Sequence, residues 1–252
     1  MARAHRLQVE GGIFHLTHRC HNRDFHLKFD RDRRVYRALM REKLKRFDVY
    51  LLDFCLTSNH VHLVVDAPDR FEVSGFMREV ASEFARQYNK RKERINAVWG
   101  DNFHAVLVDN GTYLWRCLVY IELNMVRCGV VTHPSQWPWV GYHEIMGRRQ
   151  RYRLLDLDRL CWRLGTTRLE EVQKNLEASL LEAIARDEMK RQACWTESLA
   201  VGSPAFLERM QPLILSRRET EIVEQGPDLW ILKEMGVPYG SQSGLDIQSL
   251  PL

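Results

Sequence analysis

The sequence has no long apolar run and no leader-like start. No segment approaches the roughly 20 consecutive apolar residues that a membrane helix needs. The opening Met-Ala-Arg-Ala-His-Arg does not lead into the apolar core of a signal peptide. We therefore expect a cytoplasmic protein. Its 252 residues, 45% hydrophobic and 28% charged, are ordinary for a globular chain and can bury a full core.

Paired cysteines are also missing. The six cysteines are scattered without a CxxC pair, which predicts free thiols in a reducing compartment. Metal-binding residue types do cluster in one segment, namely His15, His18, Cys20, His21 and His26. Alternation along a strand splits this cluster, because His15 would face one way while His18 and Cys20 face the other. We expect no zinc site there.

The net charge is only +4, but it is unevenly distributed. Residues 1–50 carry 13 Lys and Arg against 6 Asp and Glu, a local charge of +7. Residues 151–252 carry 13 against 16, a local charge of −3. A basic first part joined to a mildly acidic last part suggests that the first part meets a polyanion.

The first half of the chain alternates between strand-like and helix-like patterns. Alternating apolar residues predict strands at 11–20, 47–56, 60–66 and 103–108. Helical spacing predicts helices at 30–46, capped by Asp30, at 72–94 and at 112–128. The short turn at 57–59 makes the second and third strands an antiparallel hairpin. Together they predict an α+β fold with a four-stranded antiparallel sheet and helices on one face.

Beyond residue 150 the pattern becomes mostly helical. Helical spacing occurs at 154–164, 168–191, 204–215 and 228–235, the last closed by Gly236. The segment Trp137-Pro138-Trp139 is expected to pack against the sheet and so to fix the chain that follows the third helix. We therefore expect three parts: a first domain at 1–149, a helical region of unknown role at 150–239, and a flexible tail at 240–252.

One short motif carries metal chemistry. His60 and His62 are two apart on a predicted strand, so their imidazoles project from one face about 7 Å apart. Val61 and Leu63 point to the other face, where they can enter a core. Two imidazoles on a rigid strand make half of a divalent-metal site. The alternative is a pair of partly buried histidines satisfied by backbone groups.

A second motif could complete that site. Tyr120 and Asn124 are four apart in a segment of helical periodicity, so they share a helix face. A phenol one turn from a carboxamide oxygen supplies a nucleophile and a third ligand, Asn124, for a metal held by His60 and His62. The alternative for Tyr120 is an amphipathic-helix tyrosine packed against the sheet. Glu122 projects away from Tyr120 and is expected at the surface or supporting the ligands.

With these motifs the chain resembles the REP-associated tyrosine transposases, single-strand transposases whose hallmarks are a His-hydrophobic-His (HUH) motif and one catalytic tyrosine. The resemblance extends from residue 8 to about residue 210. It is carried by Gly11–Thr17, Thr57–Val65, Tyr88–Arg91, Tyr120–Val131, Pro134–Trp139 and Trp195–Ser203.

The resemblance implies a ferredoxin-like sheet and a catalytic domain at 1–149. It also implies transesterification on single-stranded or hairpin DNA at repetitive palindromes. Attack by Tyr120 would leave a 5′-phosphotyrosine and a free 3′-hydroxyl that can later rejoin the strand. Imidazole and oxygen ligands with an open position suit Mg²⁺ or Mn²⁺. His15 could approach that metal across the sheet or serve as a structural histidine.

Several basic residues are candidate phosphate contacts. They are Arg31, Arg33, Arg34, Arg37, Lys90, Arg91, Lys92, Arg94 and Arg127. DNA binding would associate a cytoplasmic protein with the nucleoid. The sequence leaves open whether the protein is a monomer or a homodimer.

Two other functions compete with a transposase. One is a host-domesticated protein that binds hairpin DNA without turnover, which the intact ligands and nucleophile disfavour. The other is a histidine-triad nucleotide hydrolase, which also carries His-hydrophobic-His on a strand. That chemistry needs a further histidine two residues on, where this chain has Val64. The hydrolase interpretation fails on that residue.

Overall fold

The computed structural model of the protein describes residues 6–7, 11–187, 190–216 and 218–236. The tail expected at 240–252 lies outside the described residues. In the described part, the strands are β1 Arg6–Leu7, β2 Gly12–Arg19, β3 Tyr50–Leu56, β4 His60–Ala67, β5 His104–Val108, β6 Ala200–Gly202, β7 Ile214–Leu215, β8 Thr220–Gly226 and β9 Leu229–Glu234. The α-helices there are α1 Asp30–Lys43, α2 Arg70–Lys92, α3 Thr112–Glu122, α4 Asn124–Arg127, α5 Tyr142–Ile145, α6 Leu157–Arg163, α7 Leu169–Ala185, α8 Cys194–Glu197 and α9 Pro204–Met210.

The main sheet has seven strands in the order β3-β4-β2-β5-β6-β9-β8, and β1 pairs separately with β7. The four strands predicted from the sequence are neighbours in it and pair antiparallel. The prediction of a four-stranded sheet was nevertheless wrong. Strands from the last third of the chain extend the sheet beyond β5, and the β5–β6 pair is parallel. The α+β class was correct.

Helices cover both faces of the sheet, which corrects the prediction of helices on one face. α1 lies on the face of Phe54, whose ring the Arg37 guanidinium approaches at 6.0 Å. α1 in turn packs against α2. α3 lies on the opposite face, where Tyr120 meets His15 and His62. Strands β2 to β5 therefore lie between helices, and Phe54 has no exposed surface.

Three predicted helices of the C-terminal part are altered, and the one predicted at 168–191 ends at Ala185. Within residues 228–235, Leu229–Glu234 form strand β9 and not a helix, because the turn at Pro227 and Asp228 folds them back onto β8. Asp228 has a φ of +54°, a turn conformation that ends a strand and starts the next. The periodicity of a four-residue apolar run, such as that at 229–232, fits a strand and a helix equally well. The helix predicted at 204–215 ends at Met210, and a 3₁₀ turn and β7 follow it.

The predicted helix at 112–128 is broken at Leu123, whose ψ of 1° separates α3 from α4. The amide of Leu123 still donates to Val119, so Tyr120 and Asn124 remain on successive turns. Asp30 does not cap α1, because Phe29 holds the cap position and Asp30 is the first helical residue. Its carboxylate accepts instead from Trp139, which ties the segment after α4 to α1.

Candidate active site

Three imidazoles lie together on the face of the sheet that α3 covers. His62 on β4 is paired with Thr17 on β2, and His15 is paired with Val64, so all of these side chains point the same way. His15 Nε2 lies 2.9 Å from His62 Nδ1. The rings of His60 and His62 are nearly perpendicular, with centroids 4.8 Å apart. Strand alternation thus brings the two predicted ligands to one face and adds His15 beside them.

One backbone contact determines which ring nitrogens of His15 and His62 carry a proton. His15 Nδ1 lies 2.7 Å from the carbonyl oxygen of Trp195, which can only accept. Burial lowers the pKa of His15 to about 3, so the ring is neutral and its single N–H points at that carbonyl. His15 Nε2 must then accept from His62 Nδ1. The lone pair of His62 therefore lies on Nε2, the nitrogen that faces α4.

The neighbours of His60 also place its proton on Nδ1 and leave Nε2 with the lone pair. His60 Nδ1 donates to the carboxamide oxygen of Asn59 at 2.7 Å and lies 3.0 Å from the Thr57 hydroxyl. Desolvation of the ring, with Arg19 close by, lowers the pKa of His60 to about 3. His60 Nε2 is consequently unprotonated as well. Hydrogen bonds to the far nitrogen are how proteins commonly orient histidine ligands.

Asn124 supplies the third group. Its Nδ2 donates to His62 Nε2 at 3.2 Å, and its Oδ1 is buried without a hydrogen-bond partner among the described residues. The two atoms of a carboxamide exchange places by a half-turn of the amide, which would aim Oδ1 at His62 Nε2. An orphaned buried oxygen beside two imidazole lone pairs fits a divalent cation.

No group of three or more His, Cys, Asp or Glu in the described part of the chain is arranged to hold a metal ion. A metal held by His60 and His62 would need a third ligand of another residue type, and the Asn124 amide lies beside His62. His18 confirms the expected split of the N-terminal histidines, since it lies on the other face and stacks on Trp99 with ring centroids 4.3 Å apart. All six cysteines are unpaired, as expected.

Tyr120 lies directly beside the imidazoles. Its ring centroid is 6.3 Å from those of both His15 and His62, and only 6% of the residue is exposed. The Trp195 ring packs on its other side at 6.1 Å. Burial raises the pKa of the Tyr120 phenol, and the charge of Arg127 acts against that rise. The phenol is therefore fully protonated at neutral pH.

Arg127 is the predicted DNA contact that lies nearest to Tyr120. Its guanidinium carbon sits 4.0 Å above the centre of the Tyr120 ring. Its Nη2 is buried and has no hydrogen-bond partner among the described residues. Desolvation lowers the pKa of Arg127, although arginine remains cationic at neutral pH. A cation with an unused donor beside the phenol is equipped to hold a phosphate oxygen.

Sequence reasoning missed Arg19 and Trp195. Arg19 is exposed at the end of β2, opposite His60 in the sheet register, and after burial its charge is the next cause that lowers the pKa of His60. Strand alternation could have predicted its position, because Arg19 lies two residues beyond Thr17 and four beyond His15 and therefore on the same strand face. Trp195 could not be placed from sequence, since its position depends on the parallel pairing of β6 with β5.

The other predicted DNA contacts divide into two groups. Three of them form internal ion pairs: Arg33 with Asp30, Arg37 with Glu144, and Arg91 with Asp32. Arg94 contacts both ring nitrogens of His26. The remaining four project from the N-terminal end of α1 or the C-terminal end of α2 and are exposed, namely Arg31, Arg34, Lys90 and Lys92.

Glu122 is buried, not exposed, and lies against Asp53 on β3. Burial, and then the charge of Asp53, raise the pKa of Glu122 well above its usual range. Burial likewise raises the pKa of Asp53 to about 8. A Cβ on Gly141 would lie 1.9 Å from Asp53 Oδ1, so only glycine fits there. Both carboxyl groups therefore lie in the interface between α3 and the edge strand β3.

Among the residues that the structure describes, none of the helices combines the length and the apolar character that a membrane span requires.

The profile of the IS200-like transposases matches residues 8–124. A solved structure described as a REP-associated tyrosine transposase bound to a REP hairpin matches with a TM-score of 0.51 and 20% sequence identity. The match covers 59% of this chain and 87% of the other. At that identity the likeness is one of fold. No match was found among curated proteins.

Proposed function

Because residues 8–124 match the profile of the IS200-like transposases, we propose that the protein cleaves and rejoins single-stranded DNA at hairpin sequences through Tyr120. The observation that carries this proposal is the buried contact of the Tyr120 ring with His15, His62 and Arg127. The hairpin substrate is suggested by the DNA bound to the structurally similar REP-associated transposase. We assign this catalytic role to residues 1–149.

The chemical step is a transesterification. The phenol oxygen of Tyr120 forms a bond to the phosphorus of the scissile phosphate, and the bond from phosphorus to the 3′ oxygen breaks. The phenol proton leaves to solvent, and the departing 3′ oxygen takes one up. The product is a 5′-phosphotyrosine that conserves the energy of the phosphodiester. Attack by another 3′-hydroxyl reverses these bond changes and rejoins the strand.

His60, His62 and Asn124 would hold a divalent metal, Mg²⁺ or Mn²⁺. When bound, such a cation polarises the scissile phosphate and stabilises negative charge on the leaving oxygen. The protein supports this role through hydrogen bonds that keep the lone pairs of both imidazoles on Nε2. The unpartnered Asn124 Oδ1 supports the choice of an amide as the third ligand.

Arg127 and Arg19 would hold the strand near Tyr120. Arg127 brings a cation with an unused donor to the phenol, and Arg19 brings an exposed one to the His60 end of the sheet. Exposed aromatic residues lie near this end as well. Phe25 and Phe29 are more than half exposed, and Lys92 lies over the Phe29 ring. Phenyl rings bordered by cations suit stacked bases of a single strand.

The decisive experiment incubates the protein with 5′- and 3′-labelled hairpin oligonucleotides carrying single-stranded flanks, in Mn²⁺ or in EDTA. A covalent adduct on a denaturing gel that requires Mn²⁺ and carries only the label downstream of the break is the expected result. Fully duplex DNA of the same sequence is the control. Tight hairpin binding without adduct on any substrate would refute strand cleavage and favour the binding protein without turnover.

A further inference from the structure

A second basic surface lies away from Tyr120, around the loop at residues 147–153. The loop carries four arginines within six residues, Arg148, Arg149, Arg151 and Arg153. No carboxylate occurs between Glu144 and Asp156 to offset them. Arg151 and Arg153 are exposed. Like charges this close repel one another and give the loop a positive electrostatic potential. A bound anion would reduce that repulsion.

The loop is held in a fixed conformation despite that repulsion. The buried carboxylate of Glu144 accepts from the backbone amides of Leu154 and Leu155 at 2.6 and 3.0 Å. Tyr152 has a φ of +56°, which non-glycine residues rarely adopt. Its carbonyl accepts from Arg37 of α1 at 2.9 Å. The arginines are therefore presented by a structured loop, which lowers the entropic cost of binding.

Helix α1 continues this basic surface. Arg34 and Arg41 are seven residues apart and so share a helix face, with Arg31 one turn before Arg34. The Arg41 guanidinium lies 4.4 Å over the ring of Tyr152, which joins the helix to the loop. From Arg31 to Arg41 the helix rises about 15 Å, close to four base-pair steps of a duplex. We call Arg31, Arg34, Arg41, Arg148, Arg151 and Arg153 the basic track.

The track begins at the catalytic end of the molecule. Arg33 of α1 donates to the carbonyl of Thr57 and to the hydroxyl of Ser58, in the turn that leads into His60. From there α1 runs along β3 towards Tyr152. A nucleic acid that has its single-stranded flank at Tyr120 could therefore extend its stem along α1.

We propose that the basic track binds the phosphate backbone of the double-stranded stem of the hairpin substrate. The proposal rests on the function proposed above. A duplex is favoured over a single strand because the one exposed aromatic ring of the loop, that of Tyr152, is covered by Arg41 and is not open for stacking. Exposed arginines on a helix and a loop match backbone contacts, which carry affinity without reading sequence.

The test compares binding by fluorescence anisotropy across salt concentrations, using Tyr120→Phe protein to prevent turnover. The variant Arg151→Glu/Arg153→Glu removes two loop cations. Its probes are a hairpin with a ten-base-pair stem and a stemless single strand with the same flank. The matched control, Arg209→Glu/Arg218→Glu, makes the same charge change on exposed residues outside the basic track.

We expect the loop variant to bind the stemmed hairpin at least tenfold more weakly at low salt. The slope of log affinity against log salt should fall by about 2, since each phosphate contact contributes about 0.9. The stemless strand and the control variant should bind normally. Equal weakening on both probes would overturn the duplex assignment, and normal hairpin binding would overturn the track. The outcome is separate from cleavage, because a wild-type protein that forms no adduct would still report on stem binding.

Discussion

The imidazole of His15 on β2 contacts that of His62 on β4, with 2.9 Å between Nε2 and Nδ1. The contact sets the tautomer of His62 from a neighbouring strand, because His15 has already given its only N–H to the Trp195 carbonyl. We propose that His15 acts on the candidate metal site through the tautomer of His62, without being a ligand itself. Partners of this kind affect metal affinity nearly as much as some ligands do.

Replacing His15 should weaken metal binding while sparing the fold. In His15→Phe the Nδ1–H of His62 loses its acceptor, so the proton can move to Nε2 and compete with the metal. We expect Mn²⁺ affinity to fall about 10- to 100-fold, measured by calorimetric titration. His15→Gln retains an acceptor and should recover part of the affinity. Equal Mn²⁺ binding by His15→Phe and the wild type would contradict the role.

Removing either proposed histidine ligand should abolish metal-dependent cleavage. We expect His60→Ala and His62→Ala each to lower the rate of hairpin nicking in Mn²⁺ by about 100-fold or more, because charge stabilisation by a metal is worth several kcal/mol. Circular dichroism should show a preserved fold. His21→Ala is the matched control, and near-normal nicking by His62→Ala would remove the metal site from the mechanism.

Tyr120 alone should form the covalent link to DNA. Tyr120→Phe removes only the nucleophilic oxygen, so hairpin affinity and melting temperature should change little while the adduct disappears. Tyr113→Phe, two turns earlier on α3, and Tyr88→Phe at the end of α2 should retain it. Mass spectrometry of the trapped wild-type complex should locate the nucleotide on the peptide containing Tyr120. An adduct formed by Tyr120→Phe would transfer the role to another tyrosine.

Gly141 should tolerate no side chain while Asp53 is present. Its φ of −66° is open to any residue, so the obstacle is the position 1.9 Å from Asp53 Oδ1 that a Cβ would take. We expect Gly141→Ala to lower the free energy of unfolding by about 2 kcal/mol or more. In an Asp53→Ala background the same change should cost much less. Equal costs in the two backgrounds, measured by urea unfolding, would exclude the clash.

Acid should destabilise the protein partly through His18. Burial lowers the pKa of His18 to about 4, against 6.5 for an ordinary histidine. The unfolded chain therefore takes up a proton at higher pH than the folded chain. The stability that His18 contributes is complete above pH 6.5 and is lost as the pH falls towards 4. His18→Phe keeps a ring that can stack on Trp99. In this variant the urea-unfolding midpoint should change less with pH between 6.5 and 4 than in the wild type. Parallel curves for variant and wild type would contradict this.

The sequence was sufficient for those features that depend on local periodicity. Alternation along one strand put His60 and His62 on a common face, and helical spacing put Tyr120 one turn from Asn124. Strands β2 to β5 were predicted for the same reason. Each of these features needs only a few consecutive residues and the geometry of one element.

What the sequence could not provide depends on contacts between distant segments. The pairing of β6 with β5 places Trp195 against His15 and Tyr120, and no local pattern encodes that pairing. The burial of Glu122 likewise depends on Asp53 across the interface of helix and sheet. Strand β9 was mistaken for a helix because a short apolar run fits both periods, and the turn before it decides the matter.

The bond from His15 to the Trp195 carbonyl links residues 180 positions apart. Ribosomes make proteins from the N-terminus, so His15, His62 and Tyr120 all leave the exit tunnel long before Trp195 is synthesised. A nascent chain that ends before that point holds the nucleophile and both histidines, but it lacks the acceptor and the ring that fix them. We expect such a chain to be unable to attack DNA. Competence would then arise only late in synthesis, once the carbonyl that accepts from His15 has been made.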